Sequence, residues 1–150
     1  SMNHFVLTPL STVKRILDTN VTGAFLFSRE AVKLMMRTKS GRIVNIGSVL
    51  TRLRVPGEAV YTASKAALEA MGRSLALEVS ARGITVNTLG VGPPETDMIR
   101  GVPPETMARL LTQQPMGRLT TFDEIIHAVD FFLDPASSGV TGQTLYLGGV

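Results

Sequence analysis

The stretch GSVLTRLRVPGEAVYTASKAAL, residues Gly47–Leu68, joins the end of a short apolar segment to the start of a long helical one. The segment RIVNIGS, residues 42–48, is short and β-branched, which predicts a buried strand. The segment VYTASKAALEAMGRSLALEVSARG, residues 60–83, predicts a long helix that stops at Gly83. A strand that leads into a helix of this length is the repeating unit of an α/β sheet.

The same alternation extends in both directions along the chain. Residues 10–41 carry apolar side chains at helical spacing and predict one long helix that ends near Ser40 and Gly41. Further elements are predicted at 84–91 (strand ITVNTLGV), 94–115 (a flap broken by Pro and Gly), 120–137 (a helix with a threonine cap) and 142–149 (strand GQTLYLGG). Strands that alternate with helices predict parallel pairing, and hence an α/β fold with a three-layer, doubly wound sheet.

Composition limits the class of protein. The 150 residues are 44% hydrophobic and 18% charged, which is typical of one globular domain with a real core. The net charge is +3, but the 15 Lys and Arg are scattered, which argues against a nucleic-acid partner. With no cysteine and two separated histidines, we expect no metal site. No apolar run reaches the roughly 18 residues that span a bilayer, and the first residues do not form a signal peptide, so we expect a cytoplasmic protein without membrane attachment.

One part of a doubly wound fold is missing from the sequence. Such sheets bind a nucleotide at a glycine-rich turn after the first strand. This sequence contains no G-x-G-x-x-G and no early strand to carry one. It therefore predicts the second half of such a fold, and we expect the active protein to be longer than these 150 residues.

Three side chains predict a chemistry. Tyr61 and Lys65 are four residues apart on the predicted helix, so they share a face. A phenol ionises near pH 10, and an ammonium group one turn away favours the phenolate. Ser48 ends the preceding strand, at the carboxyl edge where such sheets bind ligands. A Tyr-x-x-x-Lys pair alone is more often plain helix surface, but together with Ser48 it suits proton transfer to an oxygen while hydride reaches the carbon.

The segments NVTGAF, GRIVNIGS, YTASKAAL, RGITVN, ETDM, PMGRL and VTGQTLYLGG follow one another in an order and spacing that resemble the short-chain dehydrogenase/reductase (SDR) family. The resemblance covers nearly the whole chain. It implies that residues 1–150 are the C-terminal two-thirds of a single Rossmann-type domain, without its N-terminal nucleotide-binding strands. Within the family, the chain looks most like the 3-oxoacyl-(acyl-carrier-protein) reductases, which reduce a β-keto thioester with NADPH.

The resemblance also implies a catalytic tetrad. Tyr61 would be the general acid in reduction, and Ser48 would hydrogen-bond the carbonyl oxygen of the substrate. Lys65 would lower the pKa of Tyr61 and bind the nicotinamide ribose. Asn20 would hold a water that links Lys65 to a proton relay. An asparagine near Gly23 inside a long helix also indicates a kink with freed backbone groups, although an exposed polar residue stays the alternative.

Cofactor contacts are implied for Tyr61 and Lys65, and beyond them for Gly92 and for Thr96 in ETDM. The cofactor would be NADP(H) or NAD(H), because the residues that distinguish the two lie upstream of this sequence. The family usually has Pro-Gly where this chain has Val91-Gly92, so its loop can follow a different path.

Partners are implied as well. Lys39 and Arg82 match positions that dock the acidic acyl carrier protein in the family, although basic residues are favoured at helix C-termini in any case. The family assembles through its two long helices, so we expect a homotetramer or homodimer. Small residues compatible with that packing are Ala63, Ala66, Ala67 and Ala70. Two alternatives remain: a dehydrogenase for another small alcohol, sugar or steroid-like substrate, and a non-catalytic truncated remnant that serves in oligomerisation.

Overall fold

A three-stranded parallel sheet forms the centre of the structure, a computed structural model that describes residues 4–53, 55–96, 99 and 101–150. The strands are β1 (Gly41–Ser48), β2 (Ile84–Val91) and β3 (Thr144–Tyr146), in the order β1-β2-β3. Parallel pairing joins β1 to β2 from Gly41↔Ile84 to Ser48↔Val91, so the two strands end at the same edge. The predicted α/β fold class is therefore confirmed.

The last strand is shorter than the predicted 142–149. Gly142 and Gly148 have φ values of 69° and 91°, which end the extended backbone on either side of β3. The predicted strand at 84–91 coincides with β2.

Five α-helices accompany the sheet within the described residues. They are α1 (Leu10–Leu17), α2 (Gly23–Thr38), α3 (Ala59–Val79), α4 (Pro104–Leu111) and α5 (Phe122–Leu133). Short 3₁₀ turns lie at Phe5–Leu7, Val49–Thr51, Ser80–Arg82 and Pro135–Ser137. None of the described helices is long and apolar enough to cross a membrane.

The predicted long N-terminal helix contains one wider turn. Between α1 and α2 the backbone forms a π-helical turn, Asp18–Thr22, and it stays helical on both sides. Asn20 lies in the middle of this turn. A π turn releases backbone groups from the α-helical pattern, which agrees with the freed backbone groups expected near Asn20. The expected kink stays a prediction.

Helices cover both faces of the sheet. One cluster joins α3 to β2 through Ala76, Val79, Ile84 and Val86, with Met35 of α2 packed against it. A second cluster on the other face joins β2 to α5, and its buried members are Leu89, Ala128 and Phe132. The sheet is thus the middle of three layers, as predicted.

Helix ends follow the local sequence. Gly83 has a φ of 67° and closes the 3₁₀ turn after α3, and the backbone oxygen of Lys39 lies where a side chain on Gly83 would be. Thr121 caps α5: its hydroxyl accepts from the Glu124 N–H (3.2 Å), and the Glu124 carboxylate accepts from the Thr121 N–H (2.8 Å). The predicted threonine cap is confirmed.

The predicted flap is partly helical. It contains α4, and Pro94 at its start forms a parallel bridge to Thr120. Its residues 97, 98 and 100 lie outside the described part of the chain.

Candidate active site

Ser48 is the last residue of β1 and is buried, with 6% of its surface exposed. Its side-chain oxygen accepts a hydrogen bond from the Leu50 N–H (3.2 Å), and its carbonyl oxygen lies 2.9 Å from the Thr51 hydroxyl oxygen. Both contacts come from the 3₁₀ turn that follows the strand. The orientation of Ser48 is therefore set by the turn that leads the chain from β1 toward α3.

Tyr61 lies in the first turn of α3, beside Ser48. Burial raises the pKa of its phenol above the usual 10.0. A hydrogen bond with the Ser48 side chain lowers this pKa, and the negative charge of Glu58, three residues earlier, raises it. The structure thus brings Ser48 and Tyr61 together, as the sequence predicted, and adds Glu58 as an electrostatic neighbour.

Lys65 stands one helical turn after Tyr61 and reaches back to the sheet. Its Nζ donates a hydrogen bond to the carbonyl oxygen of Ile46 on β1 (2.8 Å) and lies 5.8 Å from the centre of the Tyr61 ring. Burial lowers the pKa of the Lys65 ammonium. The phenol, the serine hydroxyl and the ammonium therefore share the carboxyl edge of β1, while the effect of Lys65 on the pKa of Tyr61 stays a prediction.

Asn20 contacts this site through an intermediate residue. Its amide Nδ2 donates to the hydroxyl of Ser64 (3.0 Å), and that hydroxyl donates to the backbone oxygen of Tyr61 (2.6 Å). Ser64 is fully buried. The π turn is thereby linked to the first turn of α3. The water-linked contact from Asn20 to Lys65 remains a prediction.

Gly92 and Thr96 lie beyond the carboxyl end of β2, on the same edge of the sheet. Gly92 is buried, and a Cβ atom there would stand 2.5 Å from the Thr120 hydroxyl. Thr96 is half-buried, and its hydroxyl accepts from the Ile99 N–H (3.4 Å). Their predicted contacts with a cofactor stay predictions.

The donors at the edge of β1 fit one end of a nicotinamide cofactor. A ribose presents hydroxyl groups, and the Lys65 ammonium and the Tyr61 phenol stand one turn apart on a single helix face. Ser48 is beside the phenol and suits a substrate oxygen. The phosphates and the adenine have no glycine-rich turn in this sequence. The residues present therefore fit the nicotinamide half of the cofactor.

Lys39 and Arg82 lie at the other edge of the sheet. Lys39 precedes β1 and Arg82 precedes β2, so both stand at the amino ends of the strands. Eight residues of extended strand at ~3.3 Å each separate that edge from Ser48 by about 26 Å. Both side chains are exposed.

Sequence reasoning overlooked several polar side chains in α3 and at its N-cap. Ser64 lies between Tyr61 and Lys65, but no function is predicted for it from the sequence. A serine three positions after Tyr61 on a helix does indicate a hydrogen bond from its hydroxyl to the backbone oxygen of Tyr61. Glu58 and Glu69 were also missed. Glu69 is buried and accepts hydrogen bonds from Thr51 (2.7 Å) and Tyr146 (2.8 Å). Its partners lie 18 and 77 residues away, which no local pattern indicates.

Comparison with known proteins agrees with this geometry. A family model described as enoyl-(acyl carrier protein) reductase matches residues 1–149. The 3-oxoacyl-(acyl-carrier-protein) reductase FabG of Salmonella typhimurium is 42% identical over 134 residues, which cover 89% of this chain and 55% of the relative. The chain thus spans about half the length of this relative.

Solved structures are similar over almost the entire chain. A proposed gluconate dehydrogenase from Agrobacterium tumefaciens superimposes with a TM-score of 0.93 at 33% identity, covering 99% of this chain and 59% of that one. An NAD⁺-bound xylitol dehydrogenase gives a TM-score of 0.89 at 28% identity, with coverages of 98% and 63%. The fold and the three comparisons show that the chain belongs to the short-chain dehydrogenase/reductase family and is most like its 3-oxoacyl-(acyl-carrier-protein) reductases.

Proposed function

We propose that the intact protein carrying this chain is an NAD(P)-dependent oxidoreductase that reduces a β-ketoacyl thioester to the corresponding alcohol. The observation that supports this most is the meeting of Ser48, Tyr61 and Lys65 at the carboxyl edge of β1. Residues 1–150 would then be the C-terminal two-thirds of one domain, with the nucleotide-binding strands elsewhere in the protein.

Each of these side chains has a task that follows from its position. The cofactor supplies hydride to the carbonyl carbon when it is bound. Tyr61 donates its proton to the carbonyl oxygen, and Ser48 orients that oxygen by a hydrogen bond. Lys65, fixed by the Ile46 carbonyl, holds the nicotinamide ribose and stabilises the phenolate that remains. Asn20, through Ser64, keeps the first turn of α3 in place.

The β-ketoacyl substrate is favoured by the similarity to the 3-oxoacyl-(acyl-carrier-protein) reductase FabG, whose name states that substrate class. Lys39 and Arg82 would attract an acidic carrier protein. Since they stand about 26 Å from Ser48 along the strand direction, the thioester would reach a site only on an extended arm. That site could belong to the same chain or to a neighbouring subunit.

A second candidate is a dehydrogenase for a small alcohol or sugar. It is favoured by the high structural similarity to the gluconate and xylitol dehydrogenases. For this candidate Tyr61 would act as the base that takes the alcohol proton, so the site residues would be unchanged. The two candidates differ in substrate alone.

The experiment uses the intact protein with NADPH or NADH and acetoacetyl thioester, and compares wild type with Tyr61→Phe. We expect oxidation of one reduced nucleotide by wild type and a loss of roughly 100-fold or more in the variant. Alcohol and sugar substrates with NAD⁺ or NADP⁺ are assayed in parallel and distinguish the second candidate. A wild type inactive with every substrate would favour the non-catalytic remnant instead.

The carrier protein is tested separately. Lys39→Glu and Arg82→Glu should raise the KM for a carrier-bound substrate without changing the KM for a small thioester.

We also propose a cytoplasmic homotetramer or homodimer that assembles through α2 and α3. This is supported by the exposed apolar side chains on these helices, among them Phe27 and Leu77, each 83% exposed.

A further inference from the structure

Glu69 is a buried carboxylate that no part of the proposed chemistry uses. It lies on α3 two turns after Tyr61, and 6% of its surface is exposed. Both carboxylate oxygens face hydroxyl groups: Oε1 accepts from Thr51 (2.7 Å) and Oε2 accepts from Tyr146 (2.8 Å). A buried carboxylate is costly unless its oxygens are hydrogen-bonded, so this arrangement holds its partners firmly.

The partners come from two other elements. Thr51 ends the 3₁₀ turn that follows Ser48, and Tyr146 ends β3. The two hydroxyl oxygens also lie 3.1 Å apart, so the three side chains form a closed triangle. Helix α3, the turn after β1 and the far strand of the sheet are thereby joined at one point.

The register of the sheet explains how Tyr146 reaches so far. Tyr146 pairs with Gly90 on β2, and Gly90 pairs with Gly47 on β1. The ring of Tyr146 occupies the space that a side chain on Gly90 would need. Because the middle strand presents no side chain at this position, the phenol passes over β2 to Thr51 and Glu69. The guanidinium of Arg52 lies 5.0 Å from the centre of the same ring.

Thr51 connects this triangle to the site. Its hydroxyl is also 2.9 Å from the carbonyl oxygen of Ser48. Ser48 must face Tyr61, and Tyr61 is on the same helix as Glu69. The contact between Glu69 on that helix and Thr51 in the turn after Ser48 therefore fixes the distance between the hydroxyl groups of Ser48 and Tyr61.

We propose that Glu69 is a positioning residue which, through Thr51 and Tyr146, holds the Ser48 hydroxyl in place against Tyr61. This inference rests on the proposed function, because Glu69 would act only by positioning groups that carry out the proposed reaction. A shift of about 1 Å in such a contact is enough to lower a rate by roughly a hundredfold.

The test is a set of variants of the intact protein. Thr51→Val keeps the shape of the side chain and removes its hydroxyl, so kcat should fall by about tenfold to a hundredfold, with a smaller change in the KM for the cofactor. Thr51→Ser restores the hydroxyl and should recover most of kcat. Thr85→Val is the matched control, since the Thr85 hydroxyl is buried on β2 with no partner among the described residues.

A double variant separates positioning from general stability. If Thr51 acts through Ser48, Thr51→Val should add little further loss in a Ser48→Ala background. Thermal melting checks that each variant is folded, and Tyr146→Phe repeats the test should Thr51→Val fail to fold. Wild-type kcat in Thr51→Val, or an equal loss with and without Ser48, would overturn the inference. Full activity of Ser48→Ala would instead overturn the proposed function.

Discussion

The Nζ atom of Lys65 lies 2.8 Å from the backbone oxygen of Ile46 and donates a hydrogen bond to it. This bond joins helix α3 to strand β1 two residues before Ser48. Lys65 is consequently held at the carboxyl edge of the sheet, with its ammonium 5.8 Å from the Tyr61 ring centre. Its position is set by the backbone of β1, which holds the charge in place.

Replacing Lys65 with Met removes this charge and keeps a side chain of similar length. We expect kcat/KM to fall by roughly a hundredfold or more, because neither the proposed ribose contact nor the proposed stabilisation of the phenolate would remain. Steady-state kinetics of the intact protein measure this. Lys33→Met removes an exposed lysine that pairs with Glu30 on α2 and should keep wild-type kinetics. Equal kinetics of both variants would contradict the role of Lys65.

The fold and the centre of the site could be predicted because their signals are local. The strand at 84–91 is a short run rich in β-branched residues, and Tyr61 and Lys65 are one turn apart. The ends of β3 were less predictable, because positive φ values at Gly142 and Gly148 stop the strand inside the segment 142–149 that the sequence predicts as extended.

What the sequence concealed depends on distant contacts. The Ser64 hydroxyl donates a local hydrogen bond to the backbone oxygen of Tyr61. It also accepts one from the amide of Asn20, 44 residues earlier, and this second contact is visible only in the folded chain. In the sequence, Glu69 resembles an ordinary surface residue of a helix. In the structure, the Tyr146 side chain extends across β2 and donates a hydrogen bond to its carboxylate. The contact between Tyr146 and Glu69 depends on the pairing of all three strands, which brings together residues 77 positions apart in the sequence.

The pH dependence of Tyr61 provides a test with a defined sign. Ser48 lowers the pKa of the phenol and Glu58 raises it, in addition to the larger effect of burial, which also raises it. In the proposed mechanism alcohol oxidation needs the phenolate, so its rate should increase as the pH rises through this pKa. Ser48→Ala should move the pH profile of kcat/KM for oxidation to higher pH, and Glu58→Gln should move it to lower pH. Shifts of the opposite sign would contradict this account.

The bond between Ser64 and Asn20 predicts a loss of stability. Ser64→Ala leaves the Asn20 amide without its partner and removes a buried hydrogen bond, which should destabilise the protein by about 1–2 kcal/mol. Urea unfolding of the intact protein measures this. Ser74→Ala on the exposed side of α3 is the control and should change stability by less than about 0.5 kcal/mol. Equal effects of both substitutions would show that the bond to the π turn is unimportant.

Acid should weaken the start of α5. The Arg118 guanidinium, bonded to the Glu124 carboxylate at 2.6 Å, and the Thr121 N–H lower the pKa of Glu124 to about 2. A carboxyl whose folded pKa is depressed stabilises the protein above its unfolded pKa near 4.3, and this contribution is lost as the pH falls toward 2. Melting temperatures between pH 5 and pH 2 should therefore decrease less steeply for Glu124→Gln than for wild type.

Arg118→Gln removes the largest cause of the lowered pKa of Glu124. The melting temperature of this variant should therefore also decrease less steeply between pH 5 and pH 2 than that of wild type. Arg37→Gln, at an exposed position on α2, controls for the loss of a positive charge. Parallel acid profiles for wild type, Glu124→Gln and Arg118→Gln would show that the ion pair does not contribute.

The exposed face of α3 predicts where copies of the protein meet. Ala63, Ala66 and Ala70 are exposed at helical spacing, so they form a flat stripe on which a helix of another subunit can pack closely. Ala70→Arg places a long charged side chain on this stripe, and in a single subunit it would point into solvent. We therefore expect the variant to stay folded but to sediment as a smaller species than wild type. Ala108→Arg, an equally exposed alanine on α4, should leave the assembly intact. Dissociation by both variants, or by neither, would place the subunit contact elsewhere.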